Sequence, residues 1–347
     1  MAASAASKVF ALERAVSFID LALLAHQRGG KRAANFVKVS ALLDGKARYL
    51  LALGRAHEAR RTLRYWLNQA QSRGDSAQAA HAVANWGIVE ERTGRWAKAR
   101  QLYRRAVETL GPGHPNAAGP LLNLSALLQN TGRSREARTV LEHTRDIAIS
   151  AGDRRTLAVV FYNLSIVELS AGNDQSVCQL LNEAERLAET INHWELQARC
   201  RIERAARAME AGLPDQAAIH LSVARTTAAK IGSVYFRAMT DAFHARLYAE
   251  LGDIEETRRL AAAVLDGSAE LGISEARIIA HLAQSKTLLL SGFPAAALAA
   301  ATSVGDEAVA AGERMWELEA LLLRADIVGQ LGSIQALTHV LRSIRKQ

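Results

Sequence analysis

Aromatic residues make up only 5% of this 347-residue chain, prolines number five and cysteines two. Each shortage excludes something. A β-sandwich or barrel core draws on aromatic and β-branched side chains, so a chain poor in aromatics and rich in alanine points to closely packed helices. Three of the five prolines (Pro112, Pro115 and Pro120) crowd into one connection, which leaves long stretches open to helix. Cys178 and Cys200 form no C-x-x-C pair and no metal spacing. They read as two small hydrophobes in a reducing cytoplasm rather than a disulfide or a zinc site. No run approaches ~18 uninterrupted apolar residues, so no membrane-spanning helix is expected. The N-terminal Met-Ala-Ala-Ser-Ala-Ala-Ser lacks the basic start and apolar core of a secretory signal. A cytoplasmic location is the expectation.

Catalytic signatures are missing as well. Gly29-Gly30-Lys31 is followed by Arg32 instead of Ser or Thr and lacks the upstream glycine of a phosphate loop. Neither H-E-x-x-H nor G-x-S-x-G occurs. The ten histidines are scattered, none at metal spacing from another histidine or a cysteine. No convergent acid, base or nucleophile is visible, so no catalytic residue, metal or cofactor is assigned, and the expectation is a protein that is not an enzyme. Asn123-Leu-Ser and Asn163-Leu-Ser match the glycosylation pattern, but both fall inside expected helices.

What the chain does contain is a ladder of glycines. Gly54, Gly94, Gly132, Gly172, Gly212, Gly252, Gly292 and Gly332 are separated by 40 residues at every step but one, which is 38. A fixed spacing along almost the whole chain means one supersecondary unit stacked repeatedly. Between the glycines the pattern is helical. Ala79, Ala82, Val83, Trp86 and Val89 recur at three- and four-residue steps between Asp75 and Thr93, and Trp96, Ala99, Leu102, Tyr103, Ala106 and Val107 follow within Arg95–Leu110. A second series, Gly74, Gly113, Gly152, Gly232, Gly272 and Gly312, with Asn192 at its step, marks the joins. Each unit is therefore helix A, turn, helix B, join.

Side-chain size follows the same period. Seven residues before each turn glycine stand Ala47, Gly87, Ser125, Ser165, Ala205, Ala245, Ser285 and Ala325, all small. A small residue there lets two helices cross near the short end of ~8–10 Å. Nine residues after the glycine stand Leu63, Tyr103, Leu141, Leu181, Leu221 and Leu341, with Ala261 and Ala301 as exceptions beside Leu260 and Leu298.

Gly87, Gly94, Ala99, Tyr103 and Ala106 together resemble the tetratricopeptide repeat, here in its longer class of about 40 residues rather than 34. Leu110-Gly-Pro-Gly-His-Pro115, Asn123-Leu-Ser and Gly132-Arg-Ser-Arg-Glu-Ala137 look locally like the kinesin-light-chain type; the longer class also includes the helical region of maltose-activator-type regulators. The resemblance implies an all-α fold, an α-solenoid of eight antiparallel helix pairs plus one leading helix in a right-handed superhelix. Residues 1–30 hold the leading helix, a cap or the remnant of a preceding repeat. The array occupies 31–347, in units of approximately 31–74, 75–113, 114–152, 153–192, 193–232, 233–272, 273–312 and 313–347.

In this repeat class helix A lines the concave face. Nine residues before the turn glycine stand Asn85, Asn123 and Asn163 in three consecutive units, and an amide side chain can both donate to and accept from the backbone of an extended peptide. The alternative is that the asparagines bond across to a neighbouring helix and fix the stacking. Glu203, Phe243, Ala283 and Leu323 take the same place further on, so the ladder stops. Helical spacing adds Arg48, His81, Arg92, Tyr162 and Arg199 as candidate partner-binding residues, the cations suited to acidic side chains or a carboxylate. The net charge of +8 is uneven, +11 over residues 1–174 and −3 over the remainder, which suits an acidic partner for the first half or a larger assembly. The arginines of helix B, among them Arg60, Arg61, Arg64, Arg100, Arg104 and Arg105, are not interleaved with exposed aromatics, so direct nucleic-acid binding is not expected. The leading expectation is a non-catalytic scaffold binding a protein or extended peptide in its N-terminal groove. The alternative is a ligand- or peptide-sensing regulatory module of the maltose-activator type.

Overall fold

The computed structural model describes residues 2–28, 36–271 and 273–346; among these it contains seventeen α-helices, one short 3-10 turn and no strand. The chain divides into two compact units, Met1–Leu180 and Leu181–Gln347. The first holds α1 (Ala2–Arg28), α2 (Phe36–Ala52), α3 (Ala56–Ser72), α4 (Ser76–Arg92), α5 (Trp96–Leu110), α6 (Ala118–Asn130), α7 (Ser134–Ser150) and α8 (Arg154–Ser170). Helix α9 (Asp174–Thr190) carries the chain from the first unit into the second. There follow α10 (Trp194–Glu210), α11 (Pro214–Lys230), α12 (Val234–Leu251), α13 (Ile254–Leu271), α14 (Ser274–Leu290), α15 (Pro294–Ala311), α16 (Arg314–Gln330) and α17 (Ile334–Lys346). This is the all-α array of eight helix pairs behind a leading helix. Within each unit the even-numbered helices also touch in series, α2 to α8 in the first and α10 to α16 in the second.

Local chemistry sets the boundaries. All eight turn glycines adopt left-handed backbone, with φ between +68° and +81°, and Asn192 does the same at its join with φ of 51°. Asp75 and Asp153 cap α4 and α8 by accepting the backbone N–H of Gln78 and Thr156. At the proline-rich join the left-handed residue is Gly111, where the sequence pattern named Gly113. There Pro115–Ala117 form the 3-10 turn and α6 has only 13 residues, which accounts for the one short step of the ladder. Gly272 and the Gly29–Arg32 segment lie outside the described residues.

The small residues before each turn sit where expected. Ala47, Ser125, Ser165, Ala205, Ala245 and Ser285 are buried, and Gly87 faces the fully buried ring of Tyr103. One large position departs from the pattern: Leu341 is exposed, and Val340 is the buried residue of α17. In α1, Val16 joins the core of the first unit, while Phe10 and Phe18 are more than half exposed with the Arg14 guanidinium 5.7 and 5.6 Å from their ring centres. Glu13 pairs with Arg55 and Asp20 with Lys46, tying α1 to α2 and its turn.

A second periodic contact holds the first unit together. Arg60 of α3 donates through Nε to Glu90 of α4 at 3.0 Å, and Arg138 of α7 meets Glu168 of α8 at 2.6 Å. Each arginine stands six residues after a turn glycine, and each glutamate four before the next. Both glutamates are buried. Arg64 stacks over Trp86 at 5.4 Å and Arg104 approaches Glu136 at 3.8 Å. Several helix-B arginines thus bind neighbouring helices, where an array for phosphate would leave them open to solvent.

The second unit buries a histidine. His244 of α12 donates its Nδ1 hydrogen to the Thr240 carbonyl at 2.9 Å, and burial holds its pKa below the usual value, assisted by Arg225 and opposed by the Thr240 carbonyl and Asp241. The folded state therefore binds this proton less readily than the unfolded chain. The associated stability is present above the unfolded pKa of about 6.5 and is lost as pH falls through it. Burial lowers His220 and His281 in the same unit in the same sense. Thermal melts at pH 7.5 and pH 5.5 should show the acidic sample unfolding at lower temperature. His244→Phe should reduce that difference, and an unchanged difference would remove His244 from the account.

Candidate partner-binding faces

The asparagine register lies on the even-numbered helices of the first unit. Asn85, Asn123 and Asn163 are each half-buried, but their surroundings differ. Asn85 donates through Nδ2 to Asp44 Oδ1 of α2 at 2.8 Å, and Asp44 Oδ2 lies 2.8 Å from Arg48. Asn85 and Arg48 are therefore both engaged by one carboxylate, in the stacking role. The residues one repeat back from Asn123 and Asn163 that correspond to Asp44 are Ala84 and Leu122, which offer no acceptor. Among the described residues the Asn123 and Asn163 side-chain amides take no hydrogen-bond partner. The Asn163 backbone carbonyl accepts from Gln129 Nε2 at 3.0 Å, linking α6 to α8.

Around them the remaining predicted residues divide. His81 and Arg92 of α4 are exposed, and Tyr162 on α8 is half-buried beside Asn163. Glu91, next to Arg92, accepts the Tyr103 hydroxyl at 2.6 Å; burial raises the carboxyl of the one and the phenol of the other. Arg199 belongs to the second unit and is not part of this group. It lies 5.7 and 5.5 Å from the ring centres of Tyr235 and Phe236.

In the second unit the same register is built from different chemistry. Glu203 of α10 is 3.2 Å from Arg207, and burial raises its carboxyl. Phe243 of α12 meets Trp316 of α16 edge-on at 6.0 Å, and Arg246 lies over the Trp316 ring at 5.9 Å. Glu275 of α14 accepts from the Tyr235 hydroxyl at 3.2 Å and from the Trp316 indole N–H at 3.3 Å. Three successive even-numbered helices are thus joined through one carboxylate. Sequence reasoning did not single out Tyr235, Glu275 or Trp316. The available signal was the 40-residue interval between Tyr235 and Glu275, one repeat, which puts them at equivalent positions.

Among the described residues no helix is long and apolar enough to cross a membrane, and no cluster of His, Cys, Asp and Glu suits a metal ion. No protein-family model matches the chain, and no curated protein is similar to it in sequence. Solved structures do match. A Rap protein complexed with competence and sporulation factor superposes with a TM-score of 0.69 at 13% identity, over 100% of this chain and 98% of that one. The apo quorum sensor NprR from B. thuringiensis gives 0.57 at 13%, over 98% and 97%. A signal transduction ATPase with a tetratricopeptide repeat sensor from Pyrococcus horikoshii gives 0.53 at 12%, over 90% of this chain and 51% of that one. The chain has the tetratricopeptide-like helical-repeat fold.

Proposed function

We propose that the chain is a non-catalytic interaction scaffold that captures an extended polypeptide segment on the even-numbered helices of its first unit. The observation that carries this is the pair of half-buried amides, Asn123 and Asn163, 40 residues apart on consecutive repeats and without partners among the described residues. Their amide atoms stay accessible from outside, so a bound segment exchanges water for direct hydrogen bonds, each worth roughly 0.5–1.5 kcal/mol net. An extended peptide backbone offers an acceptor and a donor at each residue and can pair with both amides whatever its sequence. Arg92 and His81, exposed nearby, favour an acidic side chain in the segment. Quorum sensor NprR and the Rap complex, both of this fold over nearly the whole chain, are in keeping with the reading.

The test is the double variant Asn123→Ala/Asn163→Ala. Partner segments recovered with the intact protein should bind it at least tenfold more weakly, while the melting temperature moves little. Loss of folding in step with loss of binding would instead assign these asparagines to helix stacking, the role of Asn85. Arg92→Glu should weaken acidic segments and spare neutral ones.

The likeness to the sensor-bearing ATPase of Pyrococcus horikoshii favours a second reading, a sensing module in which the captured ligand alters the array. Small-angle scattering with and without a captured segment separates the two. A changed radius of gyration supports sensing, and an unchanged one supports a scaffold.

A further inference from the structure

A cavity of about 240 Å³ opens in the second unit against α12, α14 and α16. Leu282, Leu322 and Leu323 give it an aliphatic wall, and its remaining lining includes Arg246, Glu250, Lys286, Glu319 and Asp326. The charges do not cancel. Lys286 pairs with Glu250, and Arg246 Nη2 lies 3.4 Å from Glu319 Oε1, so each cation already faces a carboxylate. Among the described residues Asp326 accepts only from the side-chain amide of Gln330, at 3.2 Å. Among the described residues one carboxylate is left without a cation.

Helix geometry adds to this potential. Glu250 lies in the last turn of α12, which ends at Leu251, and Lys286 and Asp326 stand just before the last turns of α14 and α16, which end at Leu290 and Gln330. The C-terminal end of α12 therefore borders the cavity. It carries roughly half a negative charge. An incoming anion would meet this field and would have to break an existing ion pair to reach either cation. A cation meets neither obstacle. Leu322, half exposed, is placed to cover an aliphatic stem.

The geometry points to a receptor for the side chain of a lysine or arginine presented by a polypeptide partner, its stem on Leu322 and Leu323 and its charged head on Asp326. This extends the scaffold reading to the second unit and rests on it for the class of partner, but uses none of the asparagines. The probe is the capped pentapeptide acetyl-Ala-Leu-Lys-Leu-Ala-amide, which carries no terminal charge. It is titrated calorimetrically into the full chain beside its glutamate and norleucine counterparts. The lysine peptide should bind saturably, and both counterparts at least tenfold more weakly. Asp326→Asn should weaken the lysine peptide about tenfold without moving the melting temperature, and Leu322→Ser should weaken it as well. Absence of saturable binding to the intact chain, equal or tighter binding of the glutamate peptide, or an undiminished affinity in Asp326→Asn would overturn the assignment. The Asn123→Ala/Asn163→Ala protein should take the lysine peptide as the intact chain does, so failure of the asparagine reading and failure of this one give different results.

Discussion

Replacing Glu90 by alanine should destabilise the first unit by roughly 2–4 kcal/mol, because it removes a buried carboxylate that accepts two hydrogen bonds and pairs with a second arginine. Glu90 is buried, with its side chain only 4% exposed. It receives Arg60 Nε from α3 at 3.0 Å and the Trp86 indole N–H from its own helix at 2.7 Å, and it pairs with Arg95 beyond the turn at 2.5 Å. Arg60 is itself four-fifths covered, so the loss strands a cation that water cannot fully reach. Breaking a buried pair by removing one partner costs about 3–5 kcal/mol, and the partial exposure of Arg95 brings the expectation below that range. Glu90→Gln keeps an oxygen for Trp86 and Arg60 and loses the charge, so it should fall between wild type and alanine. Arg60→Ala alone should cost less, since Glu90 retains Arg95 and Trp86. The double variant should then be more stable than the sum of the singles implies, by about 1–3 kcal/mol of coupling. Denaturant melts followed by tryptophan fluorescence measure all four proteins. A Glu90→Ala protein within about 0.5 kcal/mol of wild type would show the clasp to be an ordinary surface pairing.

These contacts mark the boundary of what the sequence discloses. The turn glycines are legible because a positive φ is a local demand, met by the residue at that position alone. The small residue seven places earlier is legible for a similar reason, since helix approach repeats in every unit. Glu90 and Arg60 look like solvated charges in the sequence because their pairing depends on which helix face meets which. That relation is visible only once the 30-residue offset recurs at Arg138 and Glu168. The asparagines show the same limit from the other side. Asn85, Asn123 and Asn163 share one register, yet the first is engaged and the other two are not. The difference lies about one repeat earlier, in whether the facing residue is Asp44, Ala84 or Leu122. The asparagine ladder stops after Asn163, and the second unit instead brings Trp316, Phe243 and Glu275 together. Their contacts cross one or two repeats, beyond the reach of a pattern read within a single unit.

Gly87→Ala should also destabilise the first unit, by roughly 1–3 kcal/mol, against the direction that helix propensity alone dictates. Glycine in a helix interior costs up to about 1 kcal/mol relative to alanine, so the substitution begins with a gain. The added Cβ, however, would lie 2.5 and 2.7 Å from Cε1 and Cδ1 of Tyr103, distances that real contacts essentially never show. The ring cannot retreat easily. Tyr103 is fully buried, and its hydroxyl is held by Glu91 at 2.6 Å. Relief requires either a shift of α5 against α4 or loss of that hydrogen bond, and each exceeds the propensity gain. Elsewhere the array uses the complementary pairing, Ser125 with Leu141 and Ala205 with Leu221, a small side chain opposite leucine. The one position with no side chain stands opposite the largest one. Tyr103→Leu alone should therefore leave a void beside Gly87 and lose the Glu91 contact, at a cost of about 2 kcal/mol or more. Gly87→Ala combined with Tyr103→Leu recreates the pairing of the other repeats and should be more stable than either single variant. Melting curves of the three proteins decide the matter. Strict additivity, or a Gly87→Ala protein as stable as wild type, would mean that α4 and α5 are not held at this crossing by the fit of glycine to tyrosine.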